Sequence, residues 1–123
     1  NEVTVKASKV VNKADGMIIY PTDVQKQTSN NGYSILEKLS FANLRIDNIN
    51  HTITAIDNRG EVQLRVNGVV VGKVEMLALD PKDIAKIDYI NNPGVRYGDD
   101  IAYVINIITP SEAAMAVKID STI

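Results

Sequence analysis

Few side chains in this chain of 123 residues could carry covalent chemistry. The single histidine, His51, sits in a polar turn (residues 48–51) with no second ligand at metal-binding spacing, and cysteine is absent. That composition removes disulfide frameworks, Cys/His zinc sites and cysteine nucleophiles. Any Ser/His/Asp scheme would have to use His51, and no nucleophile elbow is visible. Asp99 and Asp100 could form half of a calcium site, but two adjacent acids in a polar stretch are more simply a solvated turn. Asp57-Asn58-Arg59-Gly60 lacks the spacing of a calcium loop and has the composition of a turn. No catalytic constellation is visible, and no enzyme activity, cofactor or metal is expected.

The elements that organise the chain are best defined in residues 79–109. Asp80 suits an N-cap, Pro81 the first helical position, and Asp83 places negative charge on first-turn amides. Residues 84–90 alternate apolar Ile87 and Tyr89 with polar Lys86 and Asp88, the period of a half-buried strand. Asn91, Asn92, Pro93 and Gly94 end it, because proline lacks a ladder donor and glycine accepts positive φ. Residues 102–109 are nearly all apolar and β-branched, as a strand covered on both faces should be.

The rest of the chain reads as short elements around that frame. Residues 1–7, NEVTVKA, are extended and alternating, and residues 8–16 are polar with a turn at Asp15-Gly16. Residues 17–20 form a short apolar strand closed by Pro21, and residues 22–31 read as a loop or frayed turn. Residues 32–40 are the better helix, with Ile35, Leu36 and Leu39 in one stripe, Glu37 and Lys38 outside, and Asn30 or Asn31 as cap. Two short strands, residues 44–47 and 52–56, flank the His51 turn. Val62, Leu64 and Val66 alternate with Gln63 and Arg65, Asn67-Gly68 is a strong hairpin signal, and residues 69–71 continue in β. Residues 74–79 suit a short helix or turn. After Pro110, Met115, Val117 and Ile119 alternate with Ala116, Lys118 and Asp120.

One domain is expected, with a real core, since 45% of residues are hydrophobic and 23% charged. A net charge of −2 argues against a nucleic-acid partner or an anionic membrane surface. No run approaches the roughly 18 apolar residues of a spanning helix. The fold class expected is α+β: a small mixed sheet from strands beginning near Met17, Leu44, Thr52, Val62, Ile84 and Ala102, with two short helices on one face.

The order DIAKIDYINNPGVRYGDDIAYVINIITP resembles the end of the plug domain of TonB-dependent outer-membrane receptors. That family has an acidic-aliphatic strand, a Gly-Pro corner, Tyr-Gly, a small-residue step and a Val-Ile-Asn-Ile-Ile-Thr strand. VINIIT and its spacing back to Tyr97-Gly98 and Pro93 carry the likeness, and LRVNGVVV resembles the family's hairpin with asparagine in place of aspartate. The chain departs from the pattern at Asn91-Asn92, where the family has Arg-Gly, and at Ala102-Tyr103, where it has Gly-Gly. The first departure bears on the ion pairs that the arginine makes to the barrel in many members. The second is in keeping with a divergent, Bacteroidetes-like branch.

The resemblance implies a plug-like domain over residues 1–109 and a tail, residues 110–123, leading into a barrel of about 22 strands. The tail's alternation would suit a first barrel strand, and without its neighbours such a strand is expected to be disordered or borrowed by another molecule. Glu2, Val3, Thr4, Val5, Lys6 and Ala7 would be a TonB box that adds a strand to a sheet edge on TonB, although an ordinary terminal edge strand explains them equally well. Tyr97 would contact ligand near the plug apex, with Arg96, Asp99 and Asp100 as polar companions by proximity; a packed aromatic is the bland account of Tyr97. The implied partners are TonB, the protein's own C-terminal β-barrel and a nutrient ligand. The implied address is the outer membrane of a Gram-negative bacterium. A stand-alone periplasmic or surface binding module with a plug-like fold is the alternative.

Overall fold

A computed structural model describes residues 9–110 apart from 40, 42 and 58. Twelve short elements run in the order β1 (Lys9–Lys13), β2 (Gly16–Tyr20), α1 (Asp23–Gln27), α2 (Gly32–Leu39), β3 (Leu44–Asp47), β4 (Thr52–Ala55), β5 (Glu61–Val66), β6 (Val69–Val70), α3 (Lys73–Ala78), a 3-10 turn (Pro81–Asp83), β7 (Lys86–Ile90) and β8 (Ile101–Ile108). Six strands form one mixed sheet in the order β1-β2-β7-β8-β5-β6, in which only β5 and β8 are parallel. The fold is therefore α+β with a mixed sheet and short helices, as the sequence pattern predicts.

Local signals explain most of the elements. Asn31 caps α2, its Oδ1 accepting from the Ser34 amide at 3.0 Å. Ile35 and Leu36 are fully buried, while Glu37 and Lys38 are exposed. Asn67 and Gly68 both have positive φ, the requirement of the tight hairpin turn that joins β5 to β6. Asp80 Oδ1 accepts the Lys82 amide at 3.0 Å and starts the 3-10 turn at Pro81. Gly16 is needed for close approach: a Cβ there would strike the Tyr89 carbonyl of the paired strand β7.

The structure corrects the pattern at four places. Residues 9–13 are an edge strand, because Val10 and Val11 register against Ile19 and Ile18 across a turn at Ala14 and Asp15. Residues 23–27 are a helix held by a capping box in which Thr22 Oγ1 accepts from the Gln25 amide and Gln25 Oε1 from the Thr22 amide. With α3, this brings the described α-helices to three where two were expected. Strands β3 and β4 pair only with each other, as a separate two-stranded sheet. Their tight turn lets Asp47 Oδ1 accept the Ile49 and Asn50 amides, and β5 takes β8 as its partner instead. Residues 84 and 85 precede β7 rather than belonging to it.

The core lies on one face of the large sheet. Ile19, Ile87, Tyr89, Tyr103, Ile105 and Ile107 point into it and meet Tyr33, Ile35 and Leu36 of α2, Met76 of α3, Phe41, Leu44, Ala55 and Ile84. On the other face Ile90 and Val104 register across β7 and β8 and are 3% and 0% exposed. β8 is thus covered on both sides, which accounts for its apolar sequence.

The register also gives the sheet two distinct ends. At one end lie Lys13, Gly16, Ile90 and Val104; at the other lie Lys9, Tyr20, Lys86 and Ile108. The chain enters β1 and leaves β8 at this second end. There Thr109 is bonded to Asn67 through both amide atoms, Nδ2 to Oγ1 at 2.8 Å and Oδ1 from the Thr109 amide at 3.1 Å. No described helix is long and apolar enough to cross a membrane, which says nothing of strands in a barrel.

Candidate functional site

Residues 91–100 join β7 to β8 at the first end of the sheet and fold back over its second face. The β1–β2 turn anchors their start: the Asp15 carbonyl accepts the Asn91 and Asn92 amides at 3.0 and 3.1 Å. Pro93 is buried, and Gly94 and Gly98 take positive φ, so the chain can reverse twice within ten residues.

Arg96 is the strut of the corner. Its Nη2 donates to Asp15 Oδ2 at 2.6 Å, and its Nε donates to the Pro93 carbonyl at 3.4 Å. Asp15 also faces Lys13 Nζ at 3.5 Å, and Lys13 pairs with Asp88 at 2.7 Å. The hydrogen bond from Arg96 holds the Asp15 carboxyl below the usual carboxylate range, against a smaller desolvation effect. The hydrogen bond to Asp88 raises Lys13 in the same way. This run of alternating charge links β1, β2, β7 and the corner.

Tyr97 is half-buried and its ring is flanked by two guanidiniums. Arg96 stands over its ring at 5.2 Å from the centroid, and Arg65 of β5 at 5.0 Å. Arg65 is itself held by Gln63 Oε1 at 2.6 Å and by the Gly68 carbonyl at 2.7 Å. Tyr97 is therefore both packed and accessible. Asp99 and Asp100 are exposed on the turn that follows, and the Asp100 carbonyl accepts the Glu61 amide at 2.8 Å.

Of the four residues nominated in the corner, the fold brings Arg96 and Tyr97 into contact and leaves Asp99 and Asp100 in solvent. Arg65 and Asp15 were missed. Nothing in the sequence pairs Asp15 with Arg96, 81 residues away, and Arg65 reads as an ordinary outward residue of an alternating strand. The nominated TonB-contacting segment, residues 2–7, and the tail beyond Pro110 lie outside the described residues.

The other polar features are structural. His51 adopts φ of +60° and packs its ring 5.4 Å from that of Tyr33, so it is more than a solvated turn residue. Asp57 Oδ2 accepts the Tyr103 hydroxyl at 2.6 Å, which lowers the carboxyl and raises the phenol, and ties the β4–β5 loop to the central strand. No group of three potential metal ligands occurs among the described residues. One surface cleft, lined by Asp23, Lys26, Gln27 and Lys82, lies away from the corner, and another, between β4 and β5, borders its last residue through Glu61.

Compared with protein-family models, with curated proteins and with solved structures, the chain matches none.

Proposed function

We propose that the chain is the plug of an outer-membrane TonB-dependent transporter, occluding the lumen of its own C-terminal β-barrel and helping to bind ligand at residues 91–100. One observation carries the reading beyond the sequence resemblance. Lys9 and Ile108 lie at one end of the sheet and the Asp15–Arg96 contact lies at the other, while Tyr97 reaches back over the face to Arg65 of β5. A plug needs this polarity. Its N-terminal segment and its link to the barrel share the periplasmic side, while its apical loops meet ligand. The proposed mechanism is occlusion followed by rearrangement under force applied through residues 2–7, with no covalent step. About five strand-pairing hydrogen bonds, each worth roughly 1 kcal/mol net, make only a modest contact, so pairing energy alone would not open the domain.

The test is binding of the purified periplasmic domain of TonB to the chain and to a chain lacking residues 2–7. Saturable binding that disappears with the deletion is the expected result. Equal binding, or none, together with a reading frame that lacks alternating ten-residue segments downstream, would overturn the proposal.

A further inference from the structure

We infer that Arg65, Arg96 and Tyr97 form a site for an oxyanion, so that the ligand taken at this corner carries a carboxylate or phosphate group. The choice of corner rests on the transporter reading, but the chemistry of the site does not. Arg65 is a guanidinium without a counter-charge: among the described residues the ion pairs involve Lys13, Asp15, Asp88 and Arg96, and none reaches Arg65. Its two hydrogen-bond partners, Gln63 Oε1 and the Gly68 carbonyl, are both neutral.

Those neutral partners nevertheless fix the fork. The Gly68 carbonyl belongs to the hairpin turn, and the turn is itself pinned by Asn106 Oδ1, which accepts the Gly68 amide at 2.9 Å. Gln63 lies two residues away on the same face of β5. An arginine fixed in this way has already given up much of its rotamer freedom, and its planar donors match the paired oxygens of a carboxylate or phosphate.

The second cation makes the case specific. Arg65 and Arg96 are both within 5.2 Å of the Tyr97 ring centroid, so two like charges flank one aromatic ring. The ring quadrupole eases that repulsion only in part. Asp15 neutralises Arg96, and one positive charge is left over. An oxyanion placed against Arg65 would balance it. Asp99 and Asp100 pair with neither arginine and face water, so they weaken the attraction without filling the site.

Titration of the 123-residue chain, followed by NMR at the arginine Nε–H and Tyr97 ring signals, tests this directly. Sodium phosphate and sodium acetate are compared with sodium chloride at equal ionic strength. The expected result is a saturable shift with one or both oxyanions that chloride does not produce. The stronger of the two tells a phosphate-bearing from a carboxylate-bearing ligand. Arg65→Gln should weaken binding by about tenfold or more, a change of roughly 1.4 kcal/mol, with the fold retained by circular dichroism. Arg65→Lys keeps the charge and loses the fork, and serves should the glutamine variant not fold; it should weaken binding less. Shifts that never saturate, that chloride reproduces, or that survive in both variants would overturn the inference. Failure of the TonB-binding test with this titration intact would remove the transporter reading and leave the anion site standing.

Discussion

The two faces of the six-stranded sheet are built by different physics. The helix-covered face is a continuous apolar core in which Tyr103, Ile105 and Ile107 are fully buried. On the other face Ile90 and Val104 are deeply buried, and the chain crosses them through ion pairs, a buried proline and an aromatic flanked by arginines. The first face is specified by apolar area and scales with it. The second depends on a few directional contacts between groups that are half-buried or, like Arg96, exposed, and such contacts contribute little to stability and are sensitive to salt. The core sets whether the chain folds, and the corner adds little to that.

The sharpest way to break this comparison is to cut into the core. Ile105→Ala on β8 should cost about 3 kcal/mol or more through lost burial and a residual cavity, read as a shift of the urea midpoint. A loss as small as that of a surface substitution would show that the core face is not the seat of stability.

A smaller effect should come from alkaline pH. Burial pushes the Tyr89 phenol up to about 12 from its ordinary value of 10.0. A raised folded value means that the stabilisation is complete below pH 10 and is lost as pH rises through about 12. Stability measured across that window should fall for the natural chain and less so for Tyr89→Phe. Identical slopes for the two proteins would remove Tyr89 as the cause.

The smallest effect on stability should come from the open face. Asp15→Asn removes the ion pair to Arg96 but keeps the backbone carbonyl that receives Asn91 and Asn92. Unfolding should shift only slightly, while amide exchange at residues 95–98 accelerates. In the natural chain the Asp15 carboxyl is held low, so this latch is present above its ordinary value of 3.8 and is lost as pH falls through the lowered one. Salt should mimic the substitution. A loss of stability as large as that of Ile105→Ala would mean that the two faces are not separable.

Which parts of this were legible beforehand follows from the range of each signal. Asn67-Gly68, Asp80-Pro81, the Asn31 cap and the alternation of Ile87 and Tyr89 are contained within a few residues, and each produced the local structure it predicts. The Thr22 and Gln25 capping box is equally local, but it starts a helix of five residues with none buried, too short for an apolar stripe to mark it. Residues 9–13 gave no such signal, because an edge strand with Lys9, Asn12 and Lys13 looks polar until β2 is there to pair with it.

By itself, then, the amino-acid order determined an α+β chain whose last described strand is buried on both faces and whose tight turns fall where Asn, Gly, Asp and Pro allow them. Only the tertiary structure decided that β3 and β4 stand apart, that Asp15 meets Arg96, and that Arg65 joins Tyr97. The reason is physical: turn and cap energies depend on neighbouring residues. Strand order decides which distant charges come within ion-pair distance, and it emerges only when the whole apolar surface is buried at once.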